Sequence, residues 1–351
     1  MALAAGIRRA HPGAIIRVYP LADGGDGTLD VLSTHLDLSP VRVATDDPLG
    51  RPLSGHYLLG KTAAFVELAT ASGLVLLPET LRNPLNNSTY GTGLLLADAL
   101  RREVDTVYLL LGGSATHDVG TGIARALGVR FLADDGKEVL PNGESLTRIA
   151  QIELPENPGW SGKRIVLLCD VTNPLIGPRG AARVYAAQKG ADAAMVERLE
   201  TGTRGVGLLL NKMTKGDVLH LPGGGAAGGV AAGLYALLGA ELHPGFATVS
   251  ELTGLEAAIS RADHVITGEG KLDASSLEGK VVGEVAQLCT KYNKPYSIVV
   301  GASELPADHR WPGRLVGLHT LVKQAGSPAA AMRDAAAVLE VVGQEMLRTN
   351  F

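Results

Sequence analysis

The chain has 351 residues, 46% of them hydrophobic and 19% charged, with a net charge of −4. That length and balance suit a soluble globular protein of two domains, and no Lys/Arg stripe points to nucleic acid as a partner. Cys169 and Cys289 are the only cysteines, too few for a disulfide framework and consistent with a reducing cytoplasm. The N-terminus lacks the apolar core of a secretory signal, and the longest uncharged run, Gly223 to Ala240, is too rich in glycine to read as a membrane span. Glycine is the outlier, with 45 residues, many of them clustered. Such clusters mark sharp turns or close approach of backbone to a ligand.

In chain order, ALAAGIRRA has helical spacing and stops at Pro12-Gly13, and IIRVYPLA reads as a buried strand leading into Ala22-Asp23-Gly24-Gly25-Asp26-Gly27-Thr28 and a further helix. From about Ser39 the pieces VRVATDD, SGHYLLG and AAFVELA predict antiparallel hairpins. Strand–helix alternation resumes after Asn83-Pro84. A helix in TGLLLADALRR precedes the strand TVYLLLGG and the helix TGIARALG. The strand KRIVLLCD, the helix GAARVYAAQKG and a helix over 191–213 follow. In the last third, DHVITGEG, PYSIVVGA and LVGLHTLV predict strands, and a final helix spans roughly 328–347. This alternation implies parallel βαβ units. The expected architecture is α/β with two domains. A doubly wound parallel sheet is made by both chain ends (1–45 and 250–351), and a second α/β domain (46–249) is inserted between them.

Two familiar patterns are decoys by context. Gly55 to Thr62 satisfies the Walker A expression, but the residues after it look extended, so a hairpin turn fits better. Gly223 to Gly228 satisfies G-x-G-x-x-G after a poor strand; the preferred reading is a helix N-terminus whose amides, with Gly224 and Gly225, face an anion. A dinucleotide-dependent oxidoreductase using that loop stays as a rival. The informative pattern is a recurrence of acidic residues among Gly, Ser and Thr at the ends of expected strands. These are Asp23 and Asp26, Asp118 after Gly112-Gly113-Ser114-Ala115-Thr116, Asp170, and Glu269 and Asp273 beside Gly268. One such loop is commonly an Asx-turn or helix cap. Several at the carboxyl ends of strands suggest a ligand site where carboxylates hold Mg²⁺ or take a proton and glycine amides reach phosphate. Lys189, Lys271 and Lys280 supply positive charge. No His/Cys spacing forms a metal site, and Ser114 lacks a nucleophile elbow.

The runs ADGGDGT (22–28), ELATASGL (67–74), NPLNNSTYGTG (83–93), GGSATHD (112–118), CDVTNPLIGPRGAA (169–182), QKGA (188–191), PGGGAAGG (222–229) and TGEGKLD (267–273), with Gly279-Lys280 after them, resemble the class I glycerate kinases in order and spacing. The resemblance implies a flavodoxin-like domain from both chain ends, an inserted restriction-endonuclease-like domain, and a catalytic cleft between them. It also implies Mg²⁺ and ATP as cofactors, with D-glycerate phosphorylated to 2-phosphoglycerate. Direct in-line transfer is the expected mechanism, with Asp170 preferred over Asp23 or Asp118 as the base and Lys189 in the catalytic group. Ser114, Thr116 and Arg179 would grip the substrate carboxylate. Gly24, Gly25, Asp26, Gly112, Gly113, Asn173, Gly224, Gly225, Gly268, Glu269, Lys271, Asp273 and Lys280 would line the substrate and phosphate sites. Asp23, Asp26 and Glu269 would hold the metal.

Four departures stand out. His117 replaces the family's usual Asn, Val119 its Gly, Lys271 its Arg, and Ser275-Ser276 its Gln-Thr. A β-branched residue resists positive φ, so the loop at Val119 is expected to be reshaped. The family's opening strand and its Asp-Ser-Phe-Lys segment are missing, which points to a misplaced start codon or a truncation. It also leaves a catalytically impaired binding homologue as the alternative reading. A homo-oligomer is compatible with the sequence.

Overall fold

The computed structural model describes residues 1–273, 276, 281–306 and 308–346. By contact density the chain forms two compact units. One is Gly24–Thr248; the other joins Met1–Asp23 to Val249–Phe351.

The continuous unit is built on a mixed sheet of six strands in the order β1-β2-β3-β4-β7-β8. Its strands are β1 (Ser39–Asp46), β2 (Pro52–Leu59), β3 (Ala63–Glu67), β4 (Thr106–Leu110), β7 (Arg164–Leu168) and β8 (Glu241–His243), while β5 (Arg130–Leu132) and β6 (Gln151–Glu153) pair apart from it. β1 and β3 each run antiparallel to β2, as their alternation predicts, and β3, β4, β7 and β8 are mutually parallel. The hairpins and the parallel strands are therefore one sheet. β1 pairs with β2 along its whole length, so the division falls after Asp23 instead of residue 45. The Walker-like run Gly55 to Thr62 lies in β2 and the turn to β3, without the helix a phosphate loop needs. The buried strands read as apolar runs, as parallel strands covered on both faces do. Leu95, Leu96, Val107, Leu109, Ile165 and Leu167 fill the core with Val230 and Leu234 from the helix Ala226–Leu238.

The discontinuous unit holds three parallel strands in the order β13-β11-β9, namely β9 (Val265–Thr267), β11 (Pro295–Val300) and β13 (Arg314–Thr320), plus the short pair β10 (Lys271–Leu272) and β12 (Ala302–Ser303). The opening helix Ala2–Ala10 packs on the closing helix Ala335–Glu345. Gly6 meets the carbonyl of Glu340, and Ile7 and Val342 are buried in one cluster. The predicted final helix is split. Ser327 caps Pro328–Arg333 through the Ala330 amide at 3.2 Å, and Asp334 leaves helical geometry before the last helix begins. The predicted strand over IIRVYPLA is not formed. Residues 14–22 join none of the described ladders, and Ile15 is 93% exposed. Strand propensity is context-dependent, and Pro20 has no amide to give a ladder. No helix among the described residues is long and apolar enough to cross a membrane.

Candidate active site

Parallel strands end at one edge of a sheet, and the loops there are where α/β proteins gather ligand-binding groups. In the continuous unit the loops after β3, β4, β7 and β8 bring together most of the sequence-predicted residues. Gly112 and Gly113 leave β4 against the loop of Gly24, Gly25 and Asp26, and the Gly112 amide donates to the Gly24 carbonyl at 3.4 Å. Gly113 has φ of 67°, and a Cβ there would overlap the Asp26 carboxylate. Only glycine meets both demands.

Glu67, which ends β3, is a site residue the sequence reading did not single out. Its carboxylate is buried and accepts from the Gly27 amide at 3.1 Å and the Leu29 amide at 3.2 Å, tying down the acidic loop and the helix Thr28–His35. Burial, with the nearby charges of Asp26 and Asp30, raises its pKa against the pull of those two amides. Asp170, after β7, is half-buried. It accepts from the amides of Gly245 (2.8 Å) and Phe246 (3.1 Å) at the start of the helix Gly245–Thr253. Carboxylates suit such positions because helix amides and the helix dipole favour negative charge.

Behind these loops lies a buried polar cluster. Lys189 is 2% exposed, and its Nζ donates to Ser114 Oγ at 2.7 Å and to the Thr116 carbonyl at 2.6 Å. Burial pulls its pKa down to about 7, with the Asp118 charge opposing. Asn87, also not singled out in the sequence, is fully buried; it donates to the Ala115 carbonyl at 2.9 Å, while its Oδ1 has no partner among the described residues. Thr116 Oγ1 likewise has none. His117 is fully buried with Nε2 against Thr203 Oγ1 at 2.8 Å. Burial and the Lys189 charge push its pKa to about 3, so it is neutral.

Two expectations are corrected here. Asp118 is fully buried, and its carboxylate accepts from Thr89 N and Oγ1 (both 2.8 Å), Gly120 N (3.1 Å) and Gly122 N (3.2 Å). Burial raises its pKa even so. It shapes the loop and exposes no surface to a substrate. Thr116 is just as buried, and its carbonyl accepts from Lys189.

The glycine run after Leu221 is a packing device. The Gly224 amide donates to the Leu221 carbonyl (2.8 Å) and the Gly225 amide to the Asn173 carbonyl (2.9 Å), so neither is left for an anion. Gly228 has φ of 69°, and a Cβ on it would strike the Thr116 carbonyl. The glycines of this run thus pack against the backbone of residues 116–119. Val119 does adopt positive φ, 56°, while fully buried. Asn173 spends its side chain on the Arg179 carbonyl (2.8 Å) and the Tyr185 hydroxyl (2.6 Å), fixing the loop that displays the exposed Arg179.

In the discontinuous unit, Tyr19, Asp23, Thr267, Gly268 and Glu269 line a cavity of about 260 Å³. Gly268 passes so close to β11 that a Cβ would overlap the Val299 carbonyl. Glu269 Oε1 is buried and has no hydrogen-bond partner among the described residues. Lys271 is exposed and paired with Glu304 at 2.9 Å. The Asp273 amide donates to Ser276 Oγ at 3.1 Å. Lys280 and Ser275 lie outside the described residues. Of the three expected metal ligands, Asp23 and Glu269 share this cavity and Asp26 lies beside Gly113 in the other unit. Among the described residues no three His, Cys, Asp or Glu side chains form a metal cluster.

A parallel-rich α/β fold whose glycine-lined strand ends gather carboxylates and a buried lysine is a setting in which α/β enzymes bind small ligands. Residues 1–350 match the family model described as the glycerate kinase family, and the chain belongs to that family. It is 40% identical over 304 residues to the glycerate kinase of Halalkalibacterium halodurans, covering 86% of this chain and 80% of that one. It is 38% identical over 305 residues to the glycerate 2-kinase of Escherichia coli, with coverage of 86% and 80%. A crystal structure from Salmonella typhimurium LT2, designated glycerate kinase 2, superposes with a TM-score of 0.83 at 35% identity, covering 99% of this chain and 92% of that one.

Proposed function

We propose that this chain transfers the γ-phosphoryl group of ATP to D-glycerate, giving 2-phosphoglycerate by direct in-line attack. The observation that carries the chemistry is the Lys189–Ser114 contact at 2.7 Å. A hydroxyl whose oxygen is occupied by an ammonium or amine donor turns its own proton outward. Ser114 is then set to donate to an oxygen of the bound acid, with Lys189 as its positioning residue. Arg179 offers a planar pair of donors for the glycerate carboxylate. Asp170, held by the Gly245 and Phe246 amides, takes the proton of the attacking hydroxyl. Asp26, anchored through the loop that Glu67 ties down, orients the acceptor's hydroxyl groups.

Carboxylate oxygens are what Mg²⁺ prefers, and an unpartnered buried Glu269 oxygen beside Asp23 fits that preference. Asp23 and Glu269 would hold the ion, which supplies neutralisation of charge on the triphosphate.

The test is ADP release from Mg-ATP with D-glycerate, the product read by ³¹P NMR. A 2-phosphoglycerate signal is expected. A 3-phosphoglycerate signal would overturn the regiochemistry, and a folded protein that releases no ADP would overturn the kinase reading.

A further inference from the structure

The turn from Gly177 to Gly180 carries the exposed Arg179 and is closed by the Gly180 amide on the Gly177 carbonyl at 2.8 Å. Gly177 has φ of 95°. A turn with glycine at both ends is restricted little by its own residues, so its position is set from outside. One tether is the Asn173 side chain on the Arg179 carbonyl. The other comes from the long helix Ala193–Met213, where Glu200 Oε1 accepts from the Gly177 amide at 2.9 Å.

Glu200 is a costly residue for that place. It is 7% exposed, its Oε2 is buried with no partner among the described residues, and it reaches Arg204 at 3.3 Å. A buried carboxylate so thinly compensated is a poor stabilising device, and an apolar side chain of similar size would pack there without the desolvation. What an apolar side chain cannot do is accept from Gly177. Thr203, one turn further along the same helix, meets His117 Nε2 through its hydroxyl at 2.8 Å. The helix thus fastens both the turn bearing Arg179 and the loop bearing Ser114.

We propose that Glu200 is a positioning residue for substrate binding: through the Gly177 amide it holds Arg179 where the acid's carboxylate is gripped. This rests on the kinase reading above, in which Arg179 meets the glycerate carboxylate.

Three substitutions separate acceptor from charge. Glu200→Met keeps the length and removes the acceptor, Glu200→Asp keeps the charge and draws the acceptor back from Gly177, and Glu200→Gln keeps the acceptor and drops the charge. Steady-state ADP release is measured with D-glycerate and ATP varied in turn. The KM for glycerate should rise about tenfold or more in Glu200→Met and Glu200→Asp, with kcat and the KM for ATP within about threefold of wild type. Glu200→Asp tests the same bond should Glu200→Met not fold. Glu200→Gln should return the KM to near the wild-type value, and Arg204→Met, which breaks only an exposed ion pair, should match it. A merely structural role would lower the active fraction, and so kcat, without this split between the two substrates. Arg179→Met gives the scale for losing the grip. A folded wild type that releases no ADP overturns the kinase reading and this proposal with it, and so does an Arg179→Met that leaves the glycerate KM unchanged for the grip alone. A raised KM in Arg179→Met beside an unchanged one in Glu200→Asp, or a Glu200→Gln no better than Glu200→Asp, overturns the role of Glu200 and leaves the kinase standing.

Discussion

Replacing Lys189 with methionine keeps the length of the side chain and removes its donors, and the structure sets opposing terms for the outcome. Ser114 Oγ and the Thr116 carbonyl lose their partner, at about 1–3 kcal/mol each for buried groups. Against that, the wild type carries the cost of burying an amine whose pKa falls from 10.5 to about 7, on the order of 5 kcal/mol below that value. The two nearly cancel at neutral pH, so Lys189→Met should fold with little change in stability. The pH dependence exposes the lysine. Its folded pKa is depressed, so the unfolded chain binds the extra proton between pH 7 and 10.5, and wild-type stability rises with pH through that window. The difference between wild type and variant should therefore grow by up to about 1.4 kcal/mol per pH unit from pH 7 to 9, read from urea unfolding. Losing the donor behind Ser114 should lower kcat by about 10²–10³. Parallel stability–pH profiles would refute the burial cost assigned to Lys189, and a kcat within threefold of wild type would refute its positioning role.

Other perturbations separate the remaining groups. Asp170→Asn should lower kcat by about 10²–10⁴ with a smaller change in KM; an unchanged kcat in steady-state assays would remove it as the base. Gly113→Ala places a methyl into Asp26 at positive φ, so about 1–2 kcal/mol of backbone strain should appear as a lower Tm together with lost activity. Asp118→Asn turns an acceptor into a donor facing Thr89 and should cost about 2–4 kcal/mol, yet leave the KM for glycerate within threefold if that residue is purely structural. Chelating Mg²⁺ with EDTA should abolish ADP release, and Glu269→Gln should raise the Mg²⁺ concentration needed to restore it.

The placement of the acidic loops after β4, β7 and β9 was readable because a glycine-flanked acid after an apolar run has few other uses. What such a pattern cannot reveal is which way the carboxylate turns. Asp26 and Asp118 look alike in sequence, but Asp118 is swallowed by donors from residues 89, 120 and 122, the first contributed from a distant loop. Glu67 escaped notice because an acid closing an apolar strand without glycine resembles a strand end. Gly224 and Gly225 match a ligand-binding expression for a different reason: their neighbours must let Thr116 and Val119 come close. Val119 was legible as an anomaly, but the expectation that it would resist positive φ and reshape the loop fails, because the surrounding packing holds it at φ of 56°. The segment 14–22 misled because hydrophobicity announces a strand and says nothing about whether a neighbour will hydrogen-bond it.

The pairing of the first helix with the last bears on how the protein is made. Arg9 and Glu340, which form an ion pair across that contact, are 331 residues apart. At about 5–20 residues per second on the ribosome, the N-terminal helix waits roughly 15–65 s before its partner is synthesised. Residues 24–248 can emerge and fold in that interval, while the amphipathic helix stays without its docking surface. The nascent chain is then a client for chaperones that hold exposed apolar segments.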